Sequence, residues 1–173
     1  ETQSFGWMAL TGLTEGLLCM PGTHTKWALM RAGEITQLNT GLSGELFEIV
    51  SKHSMLTRGA DIFDAPNEAF EDGVNVTLRE NPPALVQGLM SVRNKQLFGQ
   101  MEPRMANSYL AGLIIGEDVR ESVKVFGASI VYIIGSSVTA SHYERALQMN
   151  GIETKRHDDQ ACTLAGLKRI LGP

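Results

Sequence analysis

An α/β domain built on a mixed sheet is predicted for this chain of 173 residues, and three observations lead there. The first forty residues carry three short strand-like runs parted by glycine turns. A long stretch of helical periodicity follows, and the last third alternates strand, helix, strand, helix, the rhythm that favours parallel pairing. Hydrophobic residues make up 43% of the chain and charged residues 20%, the balance of a soluble globular protein. At this length one domain can bury a core without disulfides or metal.

Phe5, Met8, Ala9 and Leu13 stand at approximate helical spacing, and Gly12 and Gly16 mark an exit, so a helix is predicted from Ser4 to about Thr14. Strands are predicted at Gly16 to Met20, Lys26 to Arg31 and Glu34 to Asn39, the last two joined by an Ala32-Gly33 hairpin. Together they form an antiparallel meander. Ser43 is a natural N-cap for a helix carrying Leu46, Phe47, Ile49, Val50 and Leu56 through about Thr57. From Arg58 to Gln100 the pattern is helical with breaks: Pro66 starts a segment with Ala69 and Phe70, and Asn81-Pro82-Pro83 ends one and begins the next, which runs to Phe98. Asn107 to Phe126 is a further helix, whose Gly112 and Gly116 allow a close helix crossing. Ser129 to Ile134 reads as a buried strand, Gly135-Ser136-Ser137 as a turn, Thr139 to Gln148 as a helix, Ile152 to Lys155 as a strand and Asp159 to Leu171 as the last helix.

The net charge of −4 argues against a nucleic-acid partner, because a binder of phosphate backbones carries a clustered basic surface. No apolar run approaches the roughly 18 residues of a membrane span. Cys19 and Cys162 sit apart in apolar or small-residue stretches and read as buried free thiols. His157-Asp158-Asp159 reads as a helix cap rather than a metal site, since adjacent side chains diverge. The chain opens on Glu1, which suggests that a natural N-terminus precedes it.

Three antiparallel strands, helices, strand, helix, strand, helix is the order of the ribonuclease-H-like fold of the actin-like ATPase superfamily, here with a helical insertion at about 58–105 between strands three and four. A nuclease on this architecture needs strand carboxylates for two divalent metals, and the leading strands offer only Glu34. The chemistry concentrates elsewhere, in Met20-Pro21-Gly22-Thr23-His24-Thr25-Lys26-Trp27 between the first two strands. Gly22, the hydroxyls of Thr23 and Thr25 and the Lys26 ammonium can meet a phosphoryl group, or simply form a hairpin. Ser43-Gly44-Glu45 opens a helix and can face an anion or merely cap it.

Those stretches, with Glu1-Thr2-Gln3, Leu42-Ser43-Gly44-Glu45-Leu46-Phe47, His53-Ser54, Ser91-Val92-Arg93, Ser108 to Gly116 and Ala165-Gly166-Leu167, resemble the 2-keto-3-deoxygalactonate kinases almost end to end. One departure is Leu42-Ser43 where the family has Met-Thr. The resemblance implies a cytoplasmic kinase that moves the γ-phosphoryl of ATP, with Mg²⁺, to the 6-hydroxyl of the sugar acid. It also implies a missing N-terminal domain with an Asp-x-Gly-Ser/Thr loop, so that residues 1–15 end a connecting segment and 16–173 form the C-terminal domain. Glu1 then becomes a candidate base, with a capping role, or a base in the preceding residue, as alternatives. Lys26 neutralises the γ-phosphate or the substrate carboxylate. Gly22, Thr23, His24, Thr25, Ser43, Gly44 and Glu45 are placed at phosphate or substrate, and Gly135, Ser136 and Ser137 at the nucleotide. His24 and Glu45 have structural readings as well, and His53-Ser54 reads as core or capping unless the site uses it. A non-catalytic nucleotide- or sugar-binding module is the competing class. Self-association into a homo-oligomer stays open.

Overall fold

The computed structural model describes residues 1–62, 65–136 and 138–172. Its elements are α1 (Thr2–Thr11), β1 (Gly16–Met20), β2 (Thr25–Arg31), β3 (Glu34–Gly41), α2 (Ser43–His53), α3 (Glu68–Thr77), α4 (Leu85–Leu97), α5 (Ala106–Phe126), β4 (Ile130–Ile134), α6 (Val138–Met149), β5 (Glu153–His157) and α7 (Asp159–Leu171), with short 3₁₀ turns at Met55–Thr57 and Pro103–Met105. The five strands form one mixed sheet in the order β3-β2-β1-β4-β5. β1, β2 and β3 pair antiparallel, whereas β4 runs parallel to β1 and β5 parallel to β4.

Strand alternation divides the core into two faces. Leu18, Met20, Ala28, Met30 and Ile134 point to the side covered by α1 and α7, where Trp7, Met8 and Cys162 close the layer. Leu17, Cys19, Trp27, Val131 and Ile133 point to the opposite side, under α5 and α6 with Ala111, Ile115, Val119, Ala140, Tyr143 and Leu147. A second apolar layer joins α3, α4 and α5 through Ala69, Val76, Val92, Tyr109, Leu110 and Leu113. Within residues 1–15, α1 supplies Trp7 and Met8 to the core. Both cysteines are free and buried, as their settings predict. No helix among the described residues is long and apolar enough to cross a membrane.

Local chemistry fixes most boundaries. Ala32 (φ 50°) and Gly33 (φ 81°) both take positive φ, which a two-residue hairpin turn requires, and the Arg31–Glu34 pair closes it. Gly12, at φ 71°, ends α1. Asp158 caps α7 by accepting from the Ala161 N–H at 2.7 Å, so His157-Asp158-Asp159 is a cap as read. Two expectations need correcting around α2. Leu42, not Ser43, holds the N-cap position, because the Ser43 hydroxyl is turned away to Asp118. The helix ends at His53 rather than Thr57, since extended Ser54 accepts from the Leu56 N–H and starts a separate 3₁₀ turn. Pro66 likewise stands before the helix it was expected to begin; Asn67 caps α3 by accepting from the Phe70 N–H.

Glycines allow α3 to lie against α5. A Cβ on Gly112 would stand 2.0 Å from the Phe70 carbonyl oxygen, and one on Gly73 2.4 Å from that of Tyr109. These are rigid backbone atoms, so Gly112→Ala is expected to cost about 1–3 kcal/mol or more in chemical denaturation. Gly88→Ala on α4 meets only side-chain atoms at 3.8 and 3.9 Å. That substitution should leave stability unchanged or raise it by about 0.5–1 kcal/mol through helix propensity. Equal losses at the two positions would contradict the close crossing.

Candidate functional site

The turn between β1 and β2 separates two concave surfaces. On its outer side, Glu1, Thr2, Gln3, Met20, Pro21, Gly22, Thr23, His24 and Lys26 line an open depression of about 480 Å³. The N-terminus of α1 delivers Glu1 to it, and the first residues of β2 deliver Lys26, whose Nζ donates to the His24 carbonyl at 3.2 Å. Thr23 and Lys26 are exposed, and a Cβ on Gly22 would meet nothing within 4 Å, so a ligand can approach the backbone there.

On the inner side lies a more enclosed cavity of about 360 Å³. Gly22 and Thr23 form one wall, Ser43, Gly44, Phe47 and Glu48 of α2 a second, Ala111 and Ile115 the floor, and Val138, Thr139, His142 and Tyr143 of α6 the third. The α2 start is fastened to the turn. A Cβ on Gly44 would lie 2.4 Å from the Gly22 carbonyl oxygen, and the Glu45 N–H donates to the Thr23 carbonyl at 2.9 Å. His24 Nε2 and Glu45 Oε2, 2.5 Å apart, add a second fastening.

Beneath this cavity, the Asp118 carboxylate of α5 gathers donors from three elements. Oδ2 accepts from Ser43 Oγ at 2.7 Å and from Tyr143 Oη at 2.5 Å, and Oδ1 accepts from Trp27 Nε1 at 3.1 Å. The Tyr143 proton is thus committed, so Thr25 Oγ1, at 2.8 Å, donates to the phenol oxygen. Burial, and then the Asp118 charge, push the Tyr143 phenol and the Cys19 thiol well above their ordinary values, which keeps both neutral. His142 is buried with Nδ1–H donating to the Val138 carbonyl at 2.8 Å and its ring edge-on to Phe70; burial holds its pKa below the usual imidazole value.

The structure brings Glu1, Gly22, Thr23, His24 and Lys26 to one open face. Four expectations change. Thr25 is fully buried and its hydroxyl is spent on Tyr143, so it does not face the depression. The Ser43 hydroxyl lies on Asp118, and the Glu45 N–H is taken by Thr23, which removes two of the donors assigned to the start of α2. His24 and Glu45 pair with each other and follow their structural reading. At the β4–α6 turn, the buried Gly135 gives its N–H to the His157 carbonyl and its carbonyl oxygen accepts from Arg156 Nη2 at 3.1 Å, so its backbone is occupied. Ser136 Oγ donates to Asp159 at 2.6 Å, and that bond lowers the Asp159 pKa. Ser137 lies outside the described residues. Sequence reading passed over Asp118, Tyr143 and His142; the visible signal was a carboxylate set four residues after Ile114 and four before Ser122 on the inward face of a buried helix.

With this geometry in hand, comparison with known proteins is decisive at the level of family. The family model described as 2-keto-3-deoxy-galactonokinase matches residues 1–170. The chain belongs to the 2-keto-3-deoxy-galactonokinase family. Relatives named 2-dehydro-3-deoxygalactonokinase include one from Rhizobium meliloti, 34% identical over 171 residues, and one from Escherichia coli, 31% identical over 173 residues. They cover 96% and 98% of this chain, which in turn covers 56% and 57% of them. A crystal structure from Sinorhizobium meliloti, titled with the same enzyme name, superposes with a TM-score of 0.90 at 33% identity, over 99% of this chain and 59% of that one. This family member therefore spans a little over half the length of those relatives. Component A of the (R)-2-hydroxyglutaryl-CoA dehydratase of Acidaminococcus fermentans shares the fold, with a TM-score of 0.56 at 12% identity over 95% of this chain and 64% of that one.

The two depressed imidazoles set a pH dependence. His142 and His157 are both lowered first by burial, with the Lys155 charge adding at His157. The unfolded chain then takes up protons at about pH 6.5 while the folded chain does not, so stability is lost as pH falls below that value. The melting temperature should fall between pH 7.5 and 5.5, with a shallower slope in His142→Gln. A melting temperature that rises on acidification through this window would contradict the burial of neutral histidines.

Proposed function

We propose that this chain is the C-terminal domain of a sugar-acid kinase that transfers the γ-phosphoryl of ATP to the 6-hydroxyl of 2-keto-3-deoxygalactonate. The observation that carries the reading is the meeting of Glu1, Gly22, Thr23 and Lys26 on one open face, with an enclosed cavity directly behind the Gly22–Thr23 turn. Relatives named for this activity support the substrate. The strand order β3-β2-β1-β4-β5, with one parallel and one antiparallel neighbour for β1, supports assignment to the ribonuclease-H-like, actin-like ATPase superfamily.

In this scheme the nucleotide occupies the cavity, its phosphates pass the Gly22–Thr23 turn, and the sugar acid lies on the outer face against a second domain. The Glu1 carboxylate orients the 6-hydroxyl and takes its proton as the new O–P bond forms and the bond to ADP breaks. Lys26 neutralises phosphate or carboxylate charge, Thr23 donates its hydroxyl, and the open backbone at Gly22 lets a phosphate oxygen come close. Among the described residues no cluster of three metal-ligating side chains occurs. An Mg²⁺ arriving on the nucleotide would keep most of its waters and be held chiefly by phosphate oxygens, so it would need no dedicated cage in this chain. When bound, it supplies charge neutralisation between the phosphates.

The intact protein should release ADP from ATP only when 2-keto-3-deoxygalactonate is present; ADP release with other 2-keto-3-deoxy acids and none with this one would refute the substrate. Lys26→Ala should lower kcat/KM by the equivalent of about 1.5–3 kcal/mol, one charge-assisted contact, and wild-type kinetics would remove the lysine from the site. Glu1→Gln should depress kcat more than KM. Unchanged turnover would assign the base to another group.

A further inference from the structure

A carboxylate that does not itself line the cavity nevertheless holds both of its flanking walls. Ser43 is the first residue of α2, and Tyr143 stands one turn into α6; both line the cavity, and both hydroxyls end on Asp118 Oδ2. Trp27 Nε1 and, at 3.4 Å, Ser122 Oγ occupy Oδ1. The surroundings are built to admit this group. A Cβ on Gly41, at the end of β3, would lie 3.3 and 3.4 Å from the two carboxylate oxygens and 3.1 Å from Ser43 Oγ. Through Tyr143 the network also reaches Thr25, the residue before Lys26. One charged group thus fixes α2, α6 and the start of β2 relative to one another.

We propose that Asp118 is a positioning residue for the nucleotide: its carboxylate sets the spacing between the α2 and α6 walls and, through α2, the place of the Gly22–Thr23 turn. The inference rests on the reading of the cavity as a nucleotide site. An asparagine at 118 has nearly the same shape but one acceptor oxygen in place of two, and its NH₂ must face either the Trp27 N–H or the two hydroxyls. Facing the hydroxyls, it forces Ser43 and Tyr143 to accept instead of donate, and the charge-assisted bonds are lost.

The test is titration of Mg·ATP into the intact protein by calorimetry, below the unfolding temperature of every variant. Asp118→Asn is expected to raise Kd at least about tenfold, the equivalent of one charge-assisted contact. Tyr143→Phe and Ser43→Ala, each removing one hydroxyl, are expected to raise it about three- to tenfold, and they decide the question if Asp118→Asn fails to fold. Met30→Ala, a fully buried position on the opposite face of the sheet, supplies destabilisation without touching the network and should leave Kd unchanged. Wild-type affinity in Asp118→Asn, or in both hydroxyl variants, overturns the proposal, as does an equal loss in Met30→Ala. An intact wild-type protein that binds no nucleotide instead refutes the nucleotide reading of the cavity, a different failure.

Discussion

The Asp118 carboxylate is the constraint on which the arrangement around the cavity depends. A negative charge half-buried among apolar side chains is tolerable only with several donors, and here they come from β2, α2, α6 and its own helix. Each element has its own further ties: β2 lies in the sheet, α2 is bonded to the Thr23 carbonyl and His24, and Arg145 of α6 pairs with Glu71 of α3. Asp118 adds the bonds that join them to one another. Because Ser43 and Tyr143 converge on the same oxygen, a shift of either helix breaks a bond to a half-buried charge.

A second constraint acts on the β1–β2 turn. Backbone contact between Gly22 and Gly44, the Glu45 N–H on the Thr23 carbonyl and the His24–Glu45 pair bind the turn to the start of α2. The turn is thereby thin, with the open depression on one side and the enclosed cavity on the other. Gly22 and Thr23 line both hollows, so a group bound in the cavity lies next to the outer face across them. The His24–Glu45 pair, though exposed, straps the turn to α2.

What was legible in the sequence was local. The short apolar run Leu17-Leu18-Cys19-Met20, the Ala32-Gly33 hairpin and the Asp158 cap depend on neighbours within a few residues, and the structure has them as a strand, a turn and a cap. The nearness of Gly22, Thr23 and Lys26 was legible too, since Lys26 opens β2 within a few residues of the turn that holds the other two. Thr25 and Ser43 misled because both carry the right hydroxyl near the right loop, yet their partners lie 118 and 75 positions away. Burial of one residue between exposed His24 and Lys26 follows from the two-residue strand period. That much could be inferred, but Tyr143 as the buried partner could not. Gly135 shows the same limit: a glycine at a strand-to-helix turn suggests a backbone free for phosphate, whereas the parallel β5 strand has already taken its N–H.

The claim that one turn serves both surfaces is tested most directly by amide hydrogen exchange with and without Mg·ATP. The geometry requires added protection at residues 21–26 and 138–143 together, and none along the exposed edge strand β3 at 34–41. Protection confined to one of the first two segments, or none in either, would contradict it.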